Sequence, residues 1–576
     1  MKLSEVQNLF QERLHIASFV DQLLEGSNAL VTGLSSSAKT MYVRGLYETS
    51  TRPVYVIVSN MLSGQKMYDD LLLQMGEGHV HLYPAEELIA AEMSVSSYDL
   101  RAERIDTMTR LANGEKGIYI IPVAGLKRKV MPKEMWEQYI FTISVGKTLD
   151  WELVERQLVL AGYNRETLVN APGQFAVRGG IIDIYPLDQA YPFRIELFDD
   201  EVDSIRTFDA ESQRSLENKE QVKIGPAVEL IIPDEQRHQI ATGLEQDLAK
   251  RLLAMENDTY KEQLMVNVQG EIEQLREGIL REQVVTYIPY LEEYLRSLVH
   301  YFDPNGTVIY DEFARIQEVD ETLEREEEEW FYNLFEQLRI PQLRKVTYPL
   351  SEVAGTWTGS TVYFSLFKRS ISHVSLQESV SLSCKPMQQF HGQMHLLKVE
   401  IDRWMAEDFL VYVSVQDEQR REQVLSILED YNLVKHVVSE GATERGIVIT
   451  TEQFRTGFEL PIQKLALVTD QELFKMKKRP RRKAQNLTNA ERIKSYSEIN
   501  KGDYVVHVHH GIGRFYGVVT LEVGGVHKDY LDIRYRGDDK VYVPADQIEL
   551  VQKYVPSGEK EPKLHKLGGA EWKKAK

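Results

Sequence analysis

Along the first 124 residues, short apolar runs alternate with longer amphipathic stretches. The runs at 29–31, Val54–Val58 and 117–121 predict strands, and the stretches after Lys39 and over 65–75 predict helices between them. Strands that alternate with helices imply a parallel sheet. From 125 to 213 the rhythm tightens to closely spaced strands at 180–185 and Phe193–Phe198, with a helix near 152–160. That pattern predicts an inserted α+β module. Residues 214–350 open on the apolar 224–232 run and continue as long charged helices over 237–276. The strand at 307–310 is then expected to return to the first sheet.

A second βα alternation follows in 351–473, with strands at 409–415, Gly446–Thr450 and Leu465–Thr469 and a helix over 418–431. It predicts a separate α/β domain. Residues 474–499 read as an exposed linker: from Lys475 to Lys483 (KMKKRPRRK) there are seven basic residues of nine, with a proline and no periodicity. Over 500–555 apolar residues alternate through Tyr504, Val506 and Val508, then Tyr530, Ile533 and Tyr535, then Val541 and Val543, with glycine or Asp-Asp turns between. Such a meander of half-buried strands predicts a small β-barrel of the SH3/Tudor kind. Residues 556–576 are polar and glycine-bearing, a linker toward something further on.

At 576 residues the chain is expected to form roughly four domains. Its 43% hydrophobic and 27% charged residues are those of a soluble globular protein, with no apolar run long enough for a membrane span and no signal peptide. The expected location is the cytoplasm. Cys384 is the single cysteine, which excludes an intrachain disulfide and leaves it a buried structural thiol. His507, His509 and His510 cluster, yet His507 and His509 fall on the expected outer face of a strand without a further ligand nearby; no metal site is expected. The net charge of −20 restricts any DNA contact to a local patch, for which the 475–483 linker is the candidate. The 503–550 stretch carries five Lys/Arg against eight Asp/Glu, a balance that favours a protein partner over phosphates.

One motif bears on nucleotide chemistry. Gly33-Leu-Ser-Ser-Ser-Ala38-Lys39-Thr40 lies between an apolar strand and a helix pattern, the context of a phosphate-binding loop. Its second glycine is replaced by Ala38, which sets a methyl group where backbone amides must approach phosphate. Lys39 and Thr40 retain the residue types for phosphate and magnesium. Far downstream, the strand ending in Asp311 and Glu312 resembles the carboxylate end that holds magnesium. Together they suggest a degenerate RecA-like lobe. The stretch from Ile449 to Gly457 (ITTEQFRTG) has the layout of a motor's second lobe, but no arginine helix follows it. A motor-like scaffold without catalytic residues is the expectation. The run Glu324 to Glu329 is expected to be a solvated helical face.

Three groups of motifs carry a resemblance. VVHVHHGIGRFYG with TLEVGG and KVYVPADQIELV, over 505–551, is similar to the RNA-polymerase-interacting domain of bacterial transcription-repair coupling factors. AVRGGIIDIYP (176–186) and FRIELFDDEVDSIRTFDAESQ (193–213) are similar to the module by which UvrB and these factors contact UvrA. LREGI and YIPYLEEYL resemble the UvrB core. The order of parts matches the N-terminal half of a coupling factor.

The resemblance implies UvrA contact through Arg178, Arg194 and Phe198, and contact with the RNA polymerase β subunit through Leu521 with Thr520 and Glu522. It further implies an ATP- and magnesium-dependent DNA translocase beyond Lys576, with no cofactor in this half and DNA bound mainly by the translocase. The rival reading is a UvrB-like, DNA-stimulated ATPase that probes damage directly. Ala38, and the short 83–101 stretch that leaves little room for a damage-testing hairpin, speak against it. A third is a polymerase-binding regulator that works through the barrel alone.

Overall fold

The computed structural model describes residues 5–23, 26–85, 98–279, 284–368, 371, 374–438, 444–474, 504–507, 511–523, 526–536, 540–544 and 551–553. They fall into two compact units, Met1–Lys478 and Arg479–Lys576.

Strand Val54–Val58 (VYVIV) is buried at every position, which is the mark of a parallel strand covered on both faces. Its sheet has seven parallel strands in the order Glu378–Ser381, Asn28–Thr32, Ser360–Ser365, Thr307–Asp311, Val54–Val58, Ile118–Pro122 and Val80–Leu82. Alternation then gives each face its own core. Tyr55, Ile57, Tyr119, Ile121 and Tyr310 pack toward the inserted module through Phe175, Ile182, Phe193 and Ile195. Val54, Val56, Ile118, Ile120 and Ile309 pack on the other face with Met41 and Val43 of helix Ser36–Ser50. Helix Met61–Met75 starts where Asn60 accepts a hydrogen bond from Ser63 N (2.8 Å) and stops at Gly76, whose φ of +77° favours glycine.

The strand Thr307–Asp311 does return to the first sheet. One boundary differs from expectation: Ser360–Ser365 and Glu378–Ser381, assigned from the sequence to the 351–473 domain, belong to the first sheet. The apolar run of Ser360–Ser365 (STVYFS) fills the slot between Asn28–Thr32 and Thr307–Asp311, and no local signal distinguishes that slot from a place in the next domain. The second α/β domain is consequently smaller. Its strands run Lys385–Pro386, Phe458–Leu460, Leu465–Thr469, Leu410–Ser414 and Gly446–Thr450, the last three mutually parallel.

The inserted module is an antiparallel-rich six-stranded sheet in the order Ser215–Asn218, Glu201–Phe208, Phe193–Phe198, Ile181–Ile184, Gln174–Arg178 and Asn164–Arg165. It extends past residue 213, since Ser215–Asn218 joins that sheet and Gln221–Ile224 pairs with Phe141–Ser144. The acidic run from Glu324 to Glu329 is not uniformly solvated. Glu327 is 3% exposed and accepts from Val346 N (2.5 Å) and Thr347 N (3.2 Å), because a buried pair of amides demands an acceptor.

The second unit holds a five-stranded antiparallel sheet in the order Lys540–Pro544, Val526–Arg534, Gly511–Val523, Tyr504–His507 and Val551–Lys553. Val505, Phe515, Leu531, Ile533 and Tyr535 form its core. The inward residue of the first strand is therefore Val505, with Tyr504 half-buried, and not the Tyr504 and Val506 parity expected from the sequence. The run YVVHV is apolar at both parities, so alternation alone does not choose between them.

Candidate partner-binding sites

In the inserted module, antiparallel register sets Ala176, Asp183, Arg194 and Arg206 in one row. Val177, Ile182, Ile195 and Ile205 lie one step along, on the core side. Arg178, Arg194 and Glu196 hence share the outer face with Asp183. Phe198 continues that alternation at the strand's end and is 79% exposed. Next to it the chain turns at Asp199, whose φ is +59°.

The two arginines differ. Arg194 has a side chain only 14% exposed. Its Nε and Nη2 donate to Asp183 Oδ1 (2.7 Å) and Oδ2 (2.9 Å), and Nη2 also reaches Gln213 Oε1 (3.0 Å). Its guanidinium lies 4.2 Å from the centre of the Phe208 ring. The hydrogen bonds to Asp183 hold its pKa above the ordinary arginine value. Arg178 also pairs with Asp183, but its side chain is 43% exposed. Arg206 pairs with Glu196 on the same face. Fully buried Asp183 is thus the anchor that orients Arg178 and Arg194, and the sequence reading missed it. The signal was available: an acid between Ile182 and Ile184 sits on the non-core face of its strand.

The Gly33–Thr40 and Asp311–Glu312 motifs lie side by side. Lys39 Nζ lies 2.6 Å from Asp311 Oδ1 and 3.8 Å from Glu312 Oε1. The lysine is thereby neutralised by the carboxylates that a magnesium ion would need. Thr40 donates to Asp70 Oδ2 (2.6 Å) and receives Gln74 Nε2 (2.8 Å), so its hydroxyl is committed as well. Ala38 is fully buried. Gly33 has φ of +82°, and a Cβ there would stand 1.8 Å from Leu382 O, so the backbone just past strand Glu378–Ser381 approaches too closely for any residue but glycine. Cys384 is half-buried rather than buried; Ser35 Oγ donates to its Sγ (3.4 Å), and burial pushes the thiol's pKa up. Among the described residues no group of three or more His, Cys, Asp or Glu is placed to hold a metal.

In the second unit, Thr520, Leu521 and Glu522 lie in strand Gly511–Val523 opposite Asp529, Lys528 and His527. The side chains at these three positions lie outside the described residues, as do the 475–483 linker, His509, His510 and most of the 83–101 stretch. No helix among the described residues is long and apolar enough to cross a membrane.

Comparison with known proteins adds independent findings. Residues 141–230 match the UvrB interaction domain model, and 499–555 match the CarD-like/TRCF RID domain model. The chain is 42% identical over 579 aligned residues to a transcription-repair-coupling factor of Bacillus subtilis, covering 100% of this chain and 49% of that protein. It is 38% identical to one of Staphylococcus epidermidis, over 99% of this chain and 48% of the relative. For one of Staphylococcus aureus (strain USA300) the identity is 37%, over 97% and 48%. The chain spans about half the length of these curated relatives. Across that half it is similar throughout to transcription-repair-coupling factors, and it carries a UvrB interaction domain and a CarD-like/TRCF RID domain.

Proposed function

We propose that the chain is a two-ended adaptor in transcription-coupled nucleotide excision repair. Its second unit binds the β subunit of stalled RNA polymerase through the strand carrying Thr520, Leu521 and Glu522. Its inserted module recruits UvrA through Arg178, Arg194 and Phe198. The degenerate RecA-like lobe that carries the module is a frame, and ATP-driven translocation on DNA belongs to the half of the relatives that this chain does not span.

The observation that carries the reading is the outer face of the module. An arginine and a phenylalanine stand exposed beside a second arginine pinned by a buried aspartate, and Arg and aromatic residues are the usual anchors of interfaces. The closed Lys39–Asp311 pair supports the frame over the rival ATPase reading.

The test is a pair of titrations of the whole chain, one with UvrA and one with the polymerase β subunit. Phe198→Ala should weaken only the first, and Leu521→Asp only the second. Loss of neither, or loss of both by one substitution, overturns the two-ended reading.

A further inference from the structure

We propose that the relict phosphate loop is a binding site for a peptide loop instead of nucleotide, and that residues 451–457 of the second α/β domain are its resident ligand. The segment follows strand Gly446–Thr450 and turns onto the start of helix Ser36–Ser50. Thr456 N donates to Ser37 Oγ (3.0 Å), and the two hydroxyls lie 3.3 Å apart. Arg455 N donates to Asp70 Oδ1 (3.0 Å), while the other oxygen of that carboxylate takes the Thr40 hydroxyl (2.6 Å). One buried aspartate therefore joins the helix that would hold phosphate to the loop of the facing domain. Arg455 Nη1 adds Lys66 O (3.2 Å) and Asp69 Oδ2 (3.3 Å).

The backbone amides of 455 and 456 thus occupy acceptors on either side of the helix start. The apolar side agrees. Phe454, Phe458, Leu465 and Leu467 share one continuous core with Val31, Ala38 and Met41 of the lobe. At Gly457 a Cβ would fall 2.4 Å from Leu467 O and 2.8 Å from Met387 Cβ, so only glycine lets the segment turn back here.

A motor places two lobes across a bound nucleotide and opens them when it leaves. Here the same edge of the lobe faces its neighbour with hydroxyls and carboxylate already satisfied by protein, so the two α/β domains are latched without fuel. Admission of a magnesium nucleotide would require Thr40 to leave Asp70, Lys39 to leave Asp311 and the 451–457 segment to withdraw together. The inference is independent of the partner reading above: the frame can be latched whichever macromolecules its ends hold.

Hydrogen exchange on the whole chain tests it. In Ser37→Ala, the amides of Arg455 and Thr456 should exchange about tenfold faster, with strand Leu410–Ser414 unchanged. Asp70→Ala should act in the same direction and more strongly. Millimolar Mg-ATP should alter neither 33–40 nor 451–457. Protection of 33–40 by Mg-ATP, or its release of 451–457, overturns the proposal. So does unchanged exchange at 455–456 in Ser37→Ala, which is mild enough to remain folded.

Discussion

Substituting the two outer-face residues Phe198 and Arg194 separately should give distinguishable signatures, affinity alone for the first and stability as well for the second. Phe198 is 79% exposed, which for a phenylalanine leaves on the order of 150 Å² available to a partner. At about 25 cal/mol per Å² its full burial is worth at most about 4 kcal/mol. Ordering and incomplete burial reduce that to about 2 kcal/mol, near a 30-fold loss of UvrA affinity in Phe198→Ala. Stability should stay within about 0.5 kcal/mol, since the ring covers little in the free chain.

Arg194→Ala instead strips a fully buried Asp183 of its bidentate partner. Breaking such a pair costs about 3–5 kcal/mol, and the remaining contact from Arg178 places the loss near about 3 kcal/mol. Calorimetric melting and a UvrA titration, run on both variants, separate the two effects. With Arg194 both a support of the face and a proposed UvrA contact, Arg194→Ala should lose stability and affinity together; an Arg194→Ala chain that melts like the native one would refute the arginine as that support. Native affinity in Phe198→Ala would refute the exposed aromatic as an anchor.

Other outcomes follow from the same contacts. Burial first, then the Arg110 charge, lowers the His81 pKa to about 4. The folded value lies below the unfolded 6.5, so this stability is fully present above pH 6.5 and falls by up to about 3 kcal/mol as pH drops toward 4; His81→Gln should flatten that limb in urea titrations across pH. Glu327→Ala should cost about 3 kcal/mol in denaturant unfolding by orphaning the Val346 and Thr347 amides, whereas Glu328→Ala, on the exposed side of the same helix, should change little. Lys39→Ala should leave ATP turnover at the background of the native chain, because its ammonium is already spent on Asp311; a fall in turnover would contradict the frame.

Much of this arrangement is legible in the sequence. Fully apolar runs such as VYVIV mark buried parallel strands, and the two motifs that suggest one lobe together do adjoin, although Lys39 and Asp311 are 272 positions apart. Facts carried by long-range pairing were not legible. Nothing in STVYFS says that it slots between two strands of the first sheet. Glu327 differs from its acidic neighbours only because two amides 19 and 20 residues later point at it. Asp183 is a lone acid in an apolar run, and its pairing with Arg194 is made across strands; the 451–457 segment has the layout of a motor's second lobe while its partners, Ser37 and Asp70, lie more than 380 residues away.

The most direct test of the adaptor is whether both ends work at once. Mixing the chain with UvrA and the polymerase β subunit without ATP, and weighing the assembly by sedimentation, should yield a single complex containing all three. Mutual exclusion of the two partners, or assembly only when ATP is supplied, would contradict the account.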